Sequence, residues 1–367
     1  MREDFSYFQD CEFQSALAAY EHMLAGGTEP NLDAETLTDI AEYYVLNHRE
    51  EEAYRCIDYA LSFYPDSIDP QIFLARQQMF FGNNKEAWDI CQHIYDQQDR
   101  EVVFLKAELM LRDDKVNEAI EMLYDYYKSI DDEEAADFLY DSIVLVKDYN
   151  FIEVSNDWCA QLRQDYPDYT AAISLQAEIY NNKGDYQKAV DLLQEHIHEI
   201  AYDTQAWLQM AESQWWLDNL DDALEATEYA LAINKDDADA LIQKGNILYD
   251  ADRPEEAHQC FLRFLRFFPK EARAIYMDAQ CLLVMEQYEE AITQFERLSN
   301  TDDAIYRGYT RSYLALCYYK TKNRERMLHY LRLAGKEKYD CLHELFQNIL
   351  PGVDPKDYYD KALTLLP

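Results

Sequence analysis

The chain has 367 residues, with 33 Lys plus Arg against 72 Asp plus Glu, and a formal net charge of −39. Apolar residues make up 49%, enough for a sizeable core and too many for a disordered chain. Only 8 Gly and 9 Pro occur, which argues against turn-rich β sandwiches, barrels and Gly-rich phosphate-binding folds, and the acid excess argues against nucleic acid and anionic membranes as partners.

In chain order, residues 1–33 read as the second helix of an incomplete hairpin, with Ala16, Tyr20 and Met23 on one face. The opening Met1-Arg2-Glu3-Asp4-Phe5 carries no apolar leader, and no run approaches the roughly 18 apolar residues of a membrane span. The expected location is cytoplasmic. From 34 onward, small residues recur at Ala41, Ala75, Ala107, Ala177, Ala211, Gly245, Ala279 and Ala315, mostly 34 apart. A second series, Ala53, Ala87, Ala119, Ala189, Ala223, Ala257 and Ala291, lies 12 residues after members of the first. Two antiparallel helices joined by a short turn approach closely where each carries a small residue, and larger neighbours then interlock. Flanking residues keep helical spacing, as in Leu241, Gly245 and Leu248 before Phe261 and Phe264.

The expected organisation is a single stack: a half-unit at 1–33, three units over 34–135, an irregular unit over 136–169, four regular units over 170–305, a basic unit over 306–341 and capping helices over 342–367. The irregular unit has Ile143 and Ser155 at the small positions, and the basic unit has Met327 where Ala is expected. Two short helices, 341–350 and 356–366, are expected around Pro351-Gly352, covering the last apolar face as open stacks require. Asp69-Pro70 and Asp354-Pro355 are expected to place an N-cap before Pro at the first helical position.

This pattern resembles the tetratricopeptide repeat (TPR) family. From Ala34, the family's positions 4, 7, 8, 11, 20, 24, 27 and 32 hold Leu37, Ile40, Ala41, Tyr44, Ala53, Ile57, Ala60 and Pro65. From Ala238 they hold Leu241, Lys244, Gly245, Leu248, Ala257, Phe261, Phe264 and Pro269. The unit from Thr204 gives Trp207, Met210, Ala211, Gln214, Ala223, Thr227 and Ala230, and the unit from Thr170 carries the favoured turn Gly184-Asp185-Tyr186. The resemblance covers about 34–341 and implies an all-α, right-handed superhelical α-solenoid of antiparallel helix hairpins. Basic RNA-binding repeats of similar length are disfavoured by the charge.

No catalytic constellation stands out. There is no GxGxxG, P-loop or HExxH, and the loop Asp218-Asn219-Leu220-Asp221-Asp222 lacks the Gly and terminal Glu of a calcium loop. The eight cysteines never form CxxC and read as small buried thiols. No cofactor, no metal and no enzymatic activity are expected.

The resemblance implies that positions 2, 5, 9 and 12 of each unit face a concave groove. In the later units these offer Trp215, Asn246, Tyr249, Arg273, Tyr276, Gln280, Tyr309 and Tyr319. Aromatic rings bury apolar side chains, amides bond an extended backbone, and Arg273 suits a carboxylate. The family's Lys-plus-Asn carboxylate clamp is incomplete here: Asn246 stands at position 9, but position 5 is Ile242. Of Trp215-Trp216, at most one ring is expected to face the groove, and the other is expected in the core. The 306–340 stretch holds nine basic and three acidic residues, and Arg307, Arg311, Lys320, Lys322, Arg324 and Arg326 form a candidate docking surface for an acidic partner. The expected function is a non-catalytic scaffold that holds a peptide or helix of a partner protein. The alternatives are a self-assembling homo-oligomer, its basic end meeting an acidic face, and a ligand-responsive sensor.

Overall fold

In a computed structural model of the chain, residues 7–299, 304–334 and 339–365 are described. Among them are 21 α-helices and no strand. Cα proximity divides the chain into two compact units, Met1–Trp158 and Cys159–Pro367, and the division falls inside the irregular 136–169 repeat.

The first unit opens with α1 (Cys11–Leu24). Hairpins α2 (Ala34–Leu46) with α3 (Glu50–Phe63), α4 (Ile68–Phe80) with α5 (Asn84–His93), and α6 (Arg100–Arg112) with α7 (Val116–Ser129) follow. Helix α8 (Asp132–Asp148) comes next, and α9 (Ile152–Asp165) begins at its end. The second unit continues with α10 (Ala171–Lys183) and α11 (Tyr186–Glu195), α12 (Thr204–Trp216) and α13 (Leu220–Ile233), and α14 (Ala238–Asp250) and α15 (Pro254–Phe264). It ends with α16 (Ala272–Val284), α17 (Tyr288–Ser299), α18 (Ala304–Lys320), α19 (Arg324–Ala334), α20 (Tyr339–Phe346) and α21 (Tyr358–Leu365). Within each unit the first helices of successive hairpins lie side by side, α2–α4–α6 in one and α10–α12–α14–α16–α18 in the other.

The small residues lie where the helices meet. Every alanine of both series is 0% exposed, and Gly245 is buried against Phe261. Ile143, Ser155 and Met327 are equally buried. In the first unit, one apolar cluster joins Phe13, Leu17 and Tyr20 of α1 to Leu37, Ile40, Tyr44 and Ile57. In the second, clusters run from Ile173 to Cys281 and from Ala279 to Ala362.

Nine hairpin turns among the described residues share one geometry. His48, Gly82, Asp114, Asn150, Gly184, Asp218, Asp252, Glu286 and Lys322 all have φ between +56° and +77°. Just beyond each, a backbone N–H donates to the carbonyl five residues back, as from Arg49 to Tyr44 (2.8 Å), Asp185 to Tyr180 (2.8 Å) and Gln287 to Leu282 (2.9 Å). This is the left-handed C-terminal cap with a 6→1 bond, which satisfies carbonyls the helix leaves open. Seven of the nine turns use a residue other than Gly, so glycine scarcity and tight turns coexist. At the other ends, Asp33, Asp99, Asp203 and Asp237 accept hydrogen bonds from first-turn N–H groups, which assigns part of the acid excess to helix starts.

Three expectations need correction. Helix α4 begins at Ile68 after Ser67, so Asp69-Pro70 lies inside the first turn and is not the cap. The last helices are shorter, α20 ending at Phe346 and a 3-10 turn at Pro355–Asp357 preceding α21; Leu366 lies outside the described residues. In α1, Ala16 and Met23 pack half-buried against the cluster that holds Phe13, Leu17 and Tyr20, as the helical spacing predicts. Cys11, the first residue of α1, is exposed and not a buried thiol.

Candidate functional site

Helices α12, α14 and α16 together line a concavity of about 280 Å³. Residues 205, 208, 209, 212 and 215 come from α12, residues 239, 242, 243 and 246 from α14, and Arg273 from α16. The spacing of three and four puts each set on one helical face. Three sequence candidates, Trp215, Asn246 and Arg273, thus meet around one site.

Its rim and floor are held by a polar ladder between first helices. Asn181 Nδ2 donates to Gln209 Oε1 at 2.9 Å, and Ser213 Oγ donates to Asn181 Oδ1 at 2.7 Å. Gln243 Nε2 donates to the Leu208 carbonyl at 3.1 Å, while Gln243 Oε1 is buried without a partner. Trp215 Nε1 donates to Asp250 Oδ2 at 2.9 Å, fixing the indole. Asn246 is 7% exposed, and its side-chain amide has no hydrogen-bond partner among the described residues. The exposed Arg273 guanidinium likewise has no ion-pair partner among them. Burial holds the Glu212 carboxyl above the usual range, with Glu178 adding to the effect. Burial and the Asp237 charge do the same at Asp239.

The other candidates stand elsewhere. Tyr249 is half-buried against the core of its unit. Tyr276 packs among Phe295, Tyr306 and Tyr313, with ring centroids 5.7–6.3 Å away. Gln280 is 7% exposed with an unpartnered Nε2. Tyr309 and Tyr319 are half-buried on α18. The expectation that one tryptophan of the pair enters the core is corrected: Trp215 is half-buried, and Trp216 is 61% exposed, stacked on Tyr186 at 5.7 Å. Gln205, Leu208, Glu212, Asp239 and Ile242 were missed as site residues, yet they occupy positions 2, 5 and 9 of the units from 204 and 238. Applied without regard to residue type, the positional rule finds them.

The basic stretch is partly engaged within the chain. Lys320 Nζ lies 5.9 Å from the Tyr288 ring centre. Arg324 donates to the Leu363 carbonyl at 2.8 Å, and Arg326 pairs with Glu296 at 3.5 Å. Arg311 is half-buried and Lys322 is an exposed turn residue. The Arg307 side chain lies outside those described. Among the described residues no group of His, Cys, Asp and Glu is arranged to hold a metal ion, and no helix is long and apolar enough to cross a membrane.

The family model for subunit 3 of the anaphase-promoting complex, or cyclosome, matches residues 216–298. No curated protein matches the sequence. Among solved structures, YrrB, a TPR protein with an unusual peptide-binding site, is 16% identical, with 51% of this chain and 96% of that one aligned and a TM-score of 0.46. The Cut9–Hcn1 assembly of the anaphase-promoting complex is 16% identical over 90% of this chain and 66% of that one, TM-score 0.47. A tetratricopeptide repeat protein of Parabacteroides merdae is 13% identical over 69% and 98%, TM-score 0.46.

Proposed function

We propose that this chain, a tetratricopeptide-repeat protein, is a protein-interaction scaffold that seats a partner peptide across α12, α14 and α16. The observation that carries this reading is one concavity where Trp215, Asn246 and Arg273 of three first helices converge beside Gln243 Oε1, which is buried without a hydrogen-bond partner. Leaving such a group unsatisfied costs about 1–3 kcal/mol. An extended peptide offers an N–H that would satisfy Gln243 Oε1, and a C=O and N–H within the bonding repertoire of the Asn246 amide. Trp215 supplies a fixed aromatic wall for an apolar side chain, and Arg273 supplies a guanidinium for a carboxylate.

The test is selection of a displayed random-peptide library on the full chain, followed by fluorescence anisotropy with the selected peptide. Asn246→Ala and Arg273→Glu should each weaken binding about tenfold or more. Affinity unchanged in both variants, or a library that yields no binder sensitive to them, overturns the reading.

A further inference from the structure

The connections between hairpins form an edge of the second unit that lies outside the α12–α14–α16 concavity. On this edge the α13–α14 connection (234–237) and the α15–α16 connection (265–271) are fastened to their neighbours by guanidinium groups. Arg263, in the last turn of α15, donates to the Lys235 carbonyl and lies 3.4 Å from Asp236. Arg297 of α17 donates to the Pro269 carbonyl. Lys235, Arg266, Phe267 and Lys270 stand exposed there, and none of them lines the concavity.

Unpaired positive charge and an exposed ring coincide on this edge. The chain carries −39 overall, yet residues 263–270 hold Arg263, Arg266 and Lys270 and no acid. The three acids of the two connections are already engaged. Asp236 faces Arg263, Asp237 accepts from the Ala240 N–H at 2.9 Å, and Glu271 accepts from the Arg273 N–H at 3.3 Å. The Arg266 and Lys270 side chains have no ion pair or hydrogen bond among the described residues. The attraction of a helix end fades within its last turn, so it accounts for Arg263 but not for Lys270, which stands six residues beyond the end of α15 at Phe264. The two adjacent phenylalanines divide: Phe268 stacks on Phe264 with ring centroids 4.9 Å apart, whereas Phe267 is 52% exposed between the two free bases in sequence.

We propose that this edge binds an acidic segment of a partner protein that also carries an apolar side chain. The segment's carboxylates meet Arg266, Lys270 and Lys235, and its apolar side chain covers the Phe267 ring. A guanidinium pairs with a carboxylate through two parallel hydrogen bonds. Opposite charge steers the segment and fixes its register, and the covered ring holds it. Nucleic acid and anionic membranes suit the edge less well, because the acidic surface around it repels an extended polyanion. A short segment with a few carboxylates needs only the local bases.

The experiment uses the full chain and a fluorescent peptide of alternating Asp-Glu and Leu-Leu pairs, read by anisotropy. The acid excess repels such a peptide elsewhere, so binding reports a basic surface, and position decides which one. Arg266→Glu with Lys270→Glu reverses the edge, and Lys322→Glu with Arg332→Glu reverses two exposed bases of the 306–340 stretch. The edge pair should weaken binding about tenfold or more, and the control pair less than about twofold. Phe267→Ser should weaken it several-fold without changing its salt dependence, and Phe267→Leu should restore most of the loss. Circular dichroism verifies folding, and Arg266→Gln is the milder variant if the double reversal unfolds the chain. Asn246→Ala should leave this binding unchanged, which separates failure here from failure of the concavity. Absence of binding, equal losses in the edge and control pairs, or a loss in Asn246→Ala overturns the proposal. So does tighter binding of a DNA duplex, or of vesicles rich in anionic lipid, that the edge pair abolishes.

Discussion

Gly245 and Phe261 approach so closely that a Cβ on the glycine would lie 2.7 Å from Cε1 of the ring. The contact joins α14 to α15 at the point where the two small-residue series meet, with Ala257 0% exposed beside it. The ring fills the space that the missing side chain leaves. This is the local rule of the whole repeat, seen where the tolerance is smallest.

Gly245→Ala should therefore destabilise the chain although Ala favours helices. Overpacking costs about 1–3 kcal/mol, against a helix-propensity gain of about 1 kcal/mol. The expected net loss, read by urea unfolding, is about 1 kcal/mol, and Phe261→Leu in the same chain should recover part of it. A Gly245→Ala chain more stable than wild type would contradict the close approach.

The turns give the opposite sign. Glu286 and Lys322 hold φ near +60°, a conformation that costs a side-chain-bearing residue about 1–2 kcal/mol. Glycine removes that cost but loses about 0.5–1 kcal/mol of chain entropy. Glu286→Gly and Lys322→Gly should each raise stability by about 0.5 kcal/mol, measurable as a rise in Tm. A fall in Tm for both would refute the left-handed turn.

Stability should also rise on mild acidification. Asp69, Asp141, Glu212, Asp239 and Asp278 have carboxyl pKa values raised chiefly by burial. A raised folded-state pKa contributes stability that is present below the unfolded pKa of about 4 and lost as pH rises through the folded value. The lowered carboxyls, among them Asp33 and Asp185, act the other way, but only as pH falls below about 4. Tm should accordingly be higher near pH 5 than near pH 8, and Glu212→Gln should shrink the difference. A Tm that falls steadily from pH 8 to pH 5 would contradict this balance.

Thiol chemistry should single out Cys11. It is the exposed one of the seven described cysteines. Burial pushes the thiols of Cys56, Cys159, Cys281 and Cys317 up to about 12, leaving almost no thiolate at neutral pH. Titration of the native chain with an aromatic disulfide should lose one fast thiol in Cys11→Ser and none in Cys56→Ser. Equal fast labelling of Cys56 would show that the α2–α3 hairpin opens.

The hairpin architecture was legible because its signal is volume. Alanine-sized residues at a fixed offset leave few alternatives for how two helices meet. Even the irregular repeat keeps buried residues at 143 and 155. What eluded the sequence depends on ends and neighbours. Cys11 follows the pattern of buried residues, yet it stands exposed at the first position of α1. Trp216 looks like core by composition, yet its helix turns it outward onto Tyr186. Candidate site residues are chosen by a different signal. Choosing conspicuous side chains picked out Trp215, Asn246 and Arg273, which line one concavity, but passed over Glu212 and Asp239 beside them and the acidic residues of a concavity in the first unit. There, Glu35, Asp69 and Glu101 all stand at position 2 of their units.

The central claim is that the first helices α12, α14 and α16 form the seat for a partner peptide. Hydrogen exchange of the full chain, with and without the library-selected peptide, tests it most directly. The account predicts added protection in 204–216, 238–250 and 272–284. Protection confined to the second helices, 220–233 and 254–264, would contradict it.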